Sequence, residues 1–206
     1  RIGKQQGLSP AKRIQKKDQI ANQIKNYVGS DKFVESILKQ VGVVSLSTDP
    51  TNVLMWSHYA DFHRGFVVEF KIPLVGSKED ALKGGENLIP LAVSYSKTRP
   101  KIRFGVDSDQ DVLNKMVFTK AEEWRYEQEM RVIDHRRGPG IHRYHRNRLL
   151  ESIIAGMRMS EDDLKRLSSV VEDLTATEEL RNVKLHRAEA SDSEYKIRIP
   201  THRKWC

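Results

Sequence analysis

Residues 45–70 read SLSTDPTNVLMWSHYADFHRGFVVEF, and the architecture follows from how this run is parsed. Val43 to Ser47 reads as a strand ending in Ser45-Leu46-Ser47, stopped at Asp49-Pro50. Thr51 or Asn52 can cap a short helix running to His63, with Gly65 as its terminator. Phe66 to Ile72 is an apolar run that contains Glu69 and reads as a central strand. The helix crowds Trp56, Ser57, His58 and Tyr59 together, and every N–H or O–H buried among them needs a partner. A second stretch, WRYEQEMRVI at residues 124–133, sets Glu127 and Glu129 two apart at the head of a strand. The chain reads as a scaffold that brings these two stretches together.

Outward from that run, the N-terminal side is helical. Ser9-Pro10 caps a basic amphipathic helix with Ile20, Ile24 and Tyr27 on one face, ending near Gly29. Ser30 caps a second helix, whose stripe is Phe33, Val34, Ile37, Leu38 and Val41, closed by Gly42. On the C-terminal side, residues 73–85 are a polar, glycine-rich loop, and Leu88 to Ser96 is a strand that Pro90 confines to an edge or bulge. Val112, Leu113, Met116 and Val117 predict a helix over 109–124. Glu129 to Asp134 and Leu149 to Ala155 are strands, separated by an Arg- and Gly-rich loop at 135–146. Ser160 and Asp163 form a capping-box pattern opening a helix to Leu174, with acidic residues in its first turn. Val183 to Ala188 and Tyr195 to Ile199 alternate and predict a terminal antiparallel pair. The order shows no regular βαβ rhythm. It predicts an α+β fold with a mixed, largely antiparallel sheet and flanking helices, residues 1–40 forming a basic helical segment ahead of a core at 41–206.

Composition narrows the class. The 206 residues, 38% hydrophobic and 31% charged, suit a soluble globular chain able to bury a sizeable core. No apolar run approaches the ~20 residues that span a bilayer, so no membrane partner is expected. No signal-peptide pattern opens the chain, which begins at Arg1. One cysteine, Cys206, excludes a disulfide framework and a Cys-rich zinc site, and fits a reducing cytoplasm. The formal charge of +8 is concentrated at residues 1–30 and at 131–148, where Arg131, Arg136, Arg137, Arg143, Arg146 and Arg148 interleave with His135, His142 and His145. Such faces attract nucleic acid or an acidic partner protein, or are simply solvated.

The chemistry-bearing residues are few. In an extended segment Glu127 and Glu129 share a face, where Arg125 and Arg131 would hold them ionised. Paired carboxylates suit acid–base work or stabilisation of a glycosyl-like cation, although Glu-x-Glu alone more often marks a salt-bridged strand edge. His58 and Tyr59 can bind a ribose hydroxyl or stack on a heterocycle; as readily, Trp56 and Tyr59 are core aromatics and His58 a satisfied imidazole. Ser45 and Ser47 can donate to a ligand or cap the Asp-Pro turn. His142-x-x-His145 lacks a carboxylate at metal-site spacing, so no metal is predicted. No phosphate-cradling glycine motif, nucleophile elbow or Cys–His pair is present.

Leu54-Met55-Trp56-Ser57-His58-Tyr59-Ala60, Gly65-Phe66, Trp124-x-Tyr126-Glu127-x-Glu129-x-Arg131 and Ile153-Ile154-x-Gly156, in that order, resemble a bacterial domain-of-unknown-function family found in mobile and defence-associated loci. The resemblance runs from about Val41 to Ile199. It leads us to expect an upstream section with a His-Tyr-Thr-like or Tyr-Lys-Tyr-like strand and an Asn-Asp-Pro turn, which this sequence does not show. That family's plan is in turn similar to ADP-ribosyltransferases, with Ser45-Leu46-Ser47 preceding Glu127-Gln128-Glu129. The likeness implies NAD as substrate, in ADP-ribosyl transfer or NAD cleavage by a toxin or phage-defence effector. Glu129 would steady the cationic ribose and Glu127 would activate the acceptor. Ser45 and Ser47 would shape the nicotinamide pocket, with Trp56 or Tyr59 stacking and His58 and Arg131 close by. The alternatives are a nucleic-acid-binding or nuclease module, and a non-catalytic interaction domain.

Overall fold

The structure, a computed structural model, describes residues 41–72, 88–103, 106–134, 136–176 and 182–202, with Lys16, Gln19, Lys39 and Lys204. The expected N-terminal helices and the 73–85 loop lie outside the described residues. The chain divides into two units, Arg1–Gly42 with Asp134–Gly140, and Val43–Ile133 with Ile141–Cys206. In the first, the Asp134 carboxylate accepts the backbone N–H groups of Arg136 and Arg137, and pairs with the Arg137 guanidinium. A side chain at Gly42 would meet the Gly138 carbonyl, which explains a glycine there.

The second unit holds the elements that matter for function. Strand β1 (Gly42–Ser47) lies beside β6 (Glu129–Asp134), which pairs antiparallel with β3 (Leu91–Ala92). Helix α1 (Val53–Tyr59) leads into β2 (Phe66–Phe70), antiparallel to β7 (Leu150–Ala155), which is parallel to β8 (Lys184–Arg187). The short β4 (Ser94–Ser96) and β5 (Thr119–Ala121) pair in parallel, and β9 (Glu189–Ala190) pairs antiparallel with β10 (Ile197–Arg198). The helices are α2 (Asp109–Val117), α3 (Arg146–Leu149) and α4 (Glu161–Thr175), with a 3-10 helix at Glu122–Glu127. This is the α+β class, with mixed and largely antiparallel sheets.

Several expectations need correction. The apolar run 66–72 forms the edge of its sheet rather than the centre, β7 being central among the described strands. The two C-terminal segments do not pair simply with each other; the first joins β7 in parallel before the chain turns into the β9–β10 hairpin. Helix α2 stops at Val117, although neither glycine nor proline marks the position, because the chain must extend to pair with β4.

Two apolar clusters carry the unit. Trp56, Ala60, Ile154, Ala188, Ile197 and Ile199 pack beneath α1, and Leu88, Val132 and Leu149 pack beneath β6. Helix α1 is held at its start by Asn52, whose side chain accepts from the N–H groups of Leu54 and Met55. It ends earlier than His63, in a turn where Asp61, Phe62 and His63 all have positive φ. Three non-glycine residues in the left-handed region cost about 1 kcal/mol or more each. The His63 and Gly65 carbonyls are clamped by the N–H groups of Arg158 and Gly156, at 3.0 and 2.8 Å, which holds the turn in place. His63 is buried: Ser57 Oγ donates to Val53 O, so His63 Nε2 (2.8 Å away) donates to Ser57, and Nδ1 has no partner among the described residues. Burial and the nearby Arg158 hold its imidazole below the ordinary histidine range.

Candidate active site

The two stretches meet through hydrogen bonds that the turn after β1 makes to the backbone and side chains around Glu127. Ser47 Oγ donates to the Glu127 carbonyl at 2.7 Å and Asn52 Nδ2 to the Tyr126 carbonyl at 2.7 Å. Thr48 Oγ1 donates to Gln128 Oε1 at 3.0 Å. Asp49 stiffens the turn by accepting from the N–H and hydroxyl of Thr51, and the Pro50 carbonyl accepts from the Trp56 indole at 2.7 Å. Residues 74 to 80 positions apart are thereby fixed side by side.

Glu127 and Glu129 do not sit in one strand. Glu127 ends the 3-10 helix, Gln128 takes a left-handed conformation (φ 45°), and Glu129 opens β6. This tight turn, rather than strand alternation, aims both carboxylates the same way. They are 2% and 5% exposed, which makes unpaired charge untenable at either. Lys120, on β5, supplies the shared cation: its ammonium pairs closely with Glu127 and lies 3.0 Å from Glu129 Oε2. Arg131, two residues along β6 on the same face, forks onto Glu129 at 2.7 and 3.1 Å and also donates to the Val117 carbonyl at the end of α2. Tyr59 Oη donates to Glu127 Oε1 at 2.9 Å, which joins the aromatic helix to the acidic pair.

Burial alone would raise the Glu129 carboxyl, but hydrogen bonds from Arg131, Ser45 and Lys120 outweigh it and bring it down to about 2. Burial opposes the charge on Lys120 too, yet its two carboxylate partners raise it above the ordinary lysine range. The Tyr59 residue is largely exposed, but its hydroxyl end is partly desolvated at the cavity wall, and that together with its bond to Glu127 raises the phenol. The proton inventory at neutral pH is therefore settled for three of the groups: an anionic Glu129, a cationic Lys120 and a neutral phenol.

These groups line a cavity of about 650 Å³, within the range of small-molecule sites. Ser45, Ser47, Trp56, Tyr59, Glu127, Glu129 and Arg131 all contribute to its wall. Trp56, at 1% exposed, is also a core residue with its indole N–H satisfied by Pro50. His58 lies outside the cavity, exposed and within ring-contact distance of Tyr59 and Tyr126. Arg125 does not serve the acidic pair; it binds Glu122 at 2.6 Å and lies over the Tyr95 ring. Sequence reasoning missed Lys120, absorbed into an overlong helix, and Glu69, which also lines the cavity. The signal for Glu69 was present: it is a carboxylate inside an otherwise apolar strand.

The basic segment 131–148 is largely engaged. Arg131 serves the site, and Arg136, Arg137, His142, Arg143 and His145 have partners within the protein, while Arg146 and Arg148 are exposed. Among the described residues no group of three or more His, Cys, Asp or Glu is placed to hold a metal, and no helix is long and apolar enough to cross a membrane.

The family described as "Protein of unknown function (DUF2971)" matches residues 55–132, a span containing Trp56, Tyr59, Lys120, Glu127, Glu129 and Arg131. No curated protein and no solved structure matches the chain.

Proposed function

We propose that the cavity binds NAD and cleaves its nicotinamide–ribose bond, passing the ADP-ribosyl group to water or to an acceptor. The observation that carries this reading is that two buried carboxylates converge with the Ser45 hydroxyl and the Tyr59 phenol on one cavity wall. As the glycosidic bond breaks, its electron pair leaves with the nicotinamide nitrogen and the ribose acquires oxocarbenium character. A carboxylate kept anionic, as Glu129 is by Arg131 and Ser45, stabilises that cation. Glu127, tied to Tyr59, orients the acceptor and takes its proton.

Two acidic side chains, Glu127 and Glu129, are matched by two basic ones, Lys120 and Arg131. Lys120 is the group that yields: its stem is flexible, its side chain is 22% exposed, and it holds the place that a cationic sugar takes over. Its ammonium then meets the diphosphate.

The test is nicotinamide release from NAD by the full-length protein, with Glu129→Gln and Glu129→Asp compared with the parent. Removing the charge lowers turnover by at least about a hundredfold, with near-ultraviolet circular dichroism unchanged; Glu129→Asp, charged but withdrawn, retains part of the activity. A protein that neither binds nor consumes NAD overturns the proposal. The one-to-one matching of acids and bases favours one other reading, a purely structural clasp, in which both substitutions change stability and no NAD chemistry is seen.

A further inference from the structure

The cavity has a second polar pole that the acidic pair does not explain. Glu69 Oε2 accepts two hydrogen bonds, from Ser152 Oγ at 2.5 Å and from His202 Nε2 at 2.9 Å. The backbone N–H of Lys204 donates to His202 Nδ1 at 3.2 Å, so Nδ1 is an acceptor and Nε2 carries the proton given to Glu69. His202 is held in turn by a ring contact with His186, 5.0 Å between centroids, and His186 Nδ1 lies 2.7 Å from Thr201 Oγ1. Ser152 is 1% exposed and has this carboxylate as its hydrogen-bond partner. Two chain segments thus fix one oxygen of Glu69, and a third, at His186, braces His202. Among the described residues nothing donates to its other oxygen, Oε1, and Glu69 lines the cavity.

A carboxylate fixed by one oxygen, with the other reachable from the cavity, is positioned to accept from a ligand. The same cavity is lined by apolar Leu46, Val68, Phe70, Ile72 and Pro90, with Lys204, whose backbone N–H holds His202, also in its wall. Apolar flanks with one acceptor suit a flat heterocycle carrying an N–H or O–H group.

We propose that Glu69 is the specificity residue for the second half of the ligand, accepting a hydrogen bond from the amine or a ribose hydroxyl of a purine nucleoside. The inference rests on the NAD reading of the same cavity, with the nicotinamide ribose at the Glu129 pole and the adenosine half at the Glu69 pole.

The experiment uses half-ligands, so that it does not depend on turnover. Adenosine and nicotinamide mononucleotide are titrated separately by calorimetry into the full chain, into Glu69→Gln and into Glu69→Asp. The imidazole resonances of His202 and His186 are followed by NMR. Glu69→Gln weakens adenosine by about tenfold or more and leaves nicotinamide mononucleotide within about twofold. Adenosine, and not the mononucleotide, shifts His202 in the parent. Inosine and 2′,3′-dideoxyadenosine then tell the amine from the hydroxyls. Adenosine binding that ignores Glu69→Gln, or no adenosine binding, overturns the inference. If NAD is consumed but Glu69→Gln changes neither adenosine affinity nor the KM for NAD, this inference falls and the catalytic reading stands. If adenosine binds through Glu69 and NAD is not consumed, the reverse holds.

Discussion

Replacing Lys120 by methionine tests the electrostatics of the site without reference to any substrate. Methionine keeps most of the stem's apolar contacts and removes the ammonium that Glu127 and Glu129 share. Since both carboxylates touch one Nζ, their oxygens are ~5 Å apart, and two unit charges at that distance repel by about 3 kcal/mol at an effective dielectric of ~20. Stripping one partner from a buried pair costs about 3–5 kcal/mol in general, and the two estimates agree.

The sign of the pH dependence gives the sharper check. In the parent, Glu129 is depressed to about 2. Its stabilisation, about 3 kcal/mol, is present above the ordinary carboxylate range and is lost as pH falls towards 2. In Lys120→Met one carboxyl of the pair is raised instead, because the two cannot both ionise cheaply. The folded state then binds a proton that the unfolded state does not, so the pair's contribution to stability rises as pH falls. Urea denaturation from pH 8 to pH 5 should show Lys120→Met weaker than the parent by about 3 kcal/mol at neutral pH, the gap narrowing by about 2 kcal/mol on acidification; the buried His63 and His186, held below the ordinary histidine range, lower the stability of both proteins alike as pH falls. Arg125→Met is the control, its partner pair being exposed, and costs under about 1 kcal/mol. A loss at Lys120 no larger than this control, or one that deepens with acid, refutes the assignment of Lys120 as the common counter-ion.

Two further outcomes follow from the geometry. Gly156→Ala would place a methyl group 2.1 Å from the His63 carbonyl oxygen and 2.8 Å from that of Gly65, both backbone atoms that cannot yield cheaply. The expected cost is about 3 kcal/mol, seen as a fall in Tm of about 10 °C; an unchanged Tm would mean that the left-handed turn is not clamped as described. Glu127→Gln removes the anion that the Tyr59 phenol donates to and should bring that phenol down towards its ordinary value of 10.0. The difference between the tyrosinate absorbance titrations of this variant and of the same variant with Tyr59→Phe isolates the one group.

The parts of this fold that were legible in the sequence are those with local punctuation. Asp49-Pro50 and Asn52 placed the end of β1 and the start of α1, and Ser160 with Asp163 placed α4 to within a residue at its far end. The strand at Glu129–Asp134 was readable for the same reason. What escaped was decided by partners distant in the chain. Phe118 closes α2 with no helix-breaking residue nearby, since β4 recruits Thr119–Ala121 into a parallel pair. That conversion of helix to strand is what carries Lys120 to the cavity wall. The i, i+2 reasoning brought Glu127 and Glu129 together through the wrong backbone, as Gln128 turns left-handed between them. His58 lies on α1 but outside the cavity, because a short helix presents only one side to it and Trp56 and Tyr59 occupy that side.

That left-handed Gln128 gives the acidic pair the character of a joint. Glu127 travels with the 3-10 helix and the loop bonds of Ser47 and Asn52, whereas Glu129 is welded to a β-ladder. A single pair of dihedral angles separates the two. The two carboxylates thus hang from different backbone elements and are tied to each other only at their tips, by the shared Lys120 ammonium, with Tyr59 holding Glu127 from the other side. The spacing between the two acids is therefore set at Gln128, whose side chain accepts from Thr48 across the turn.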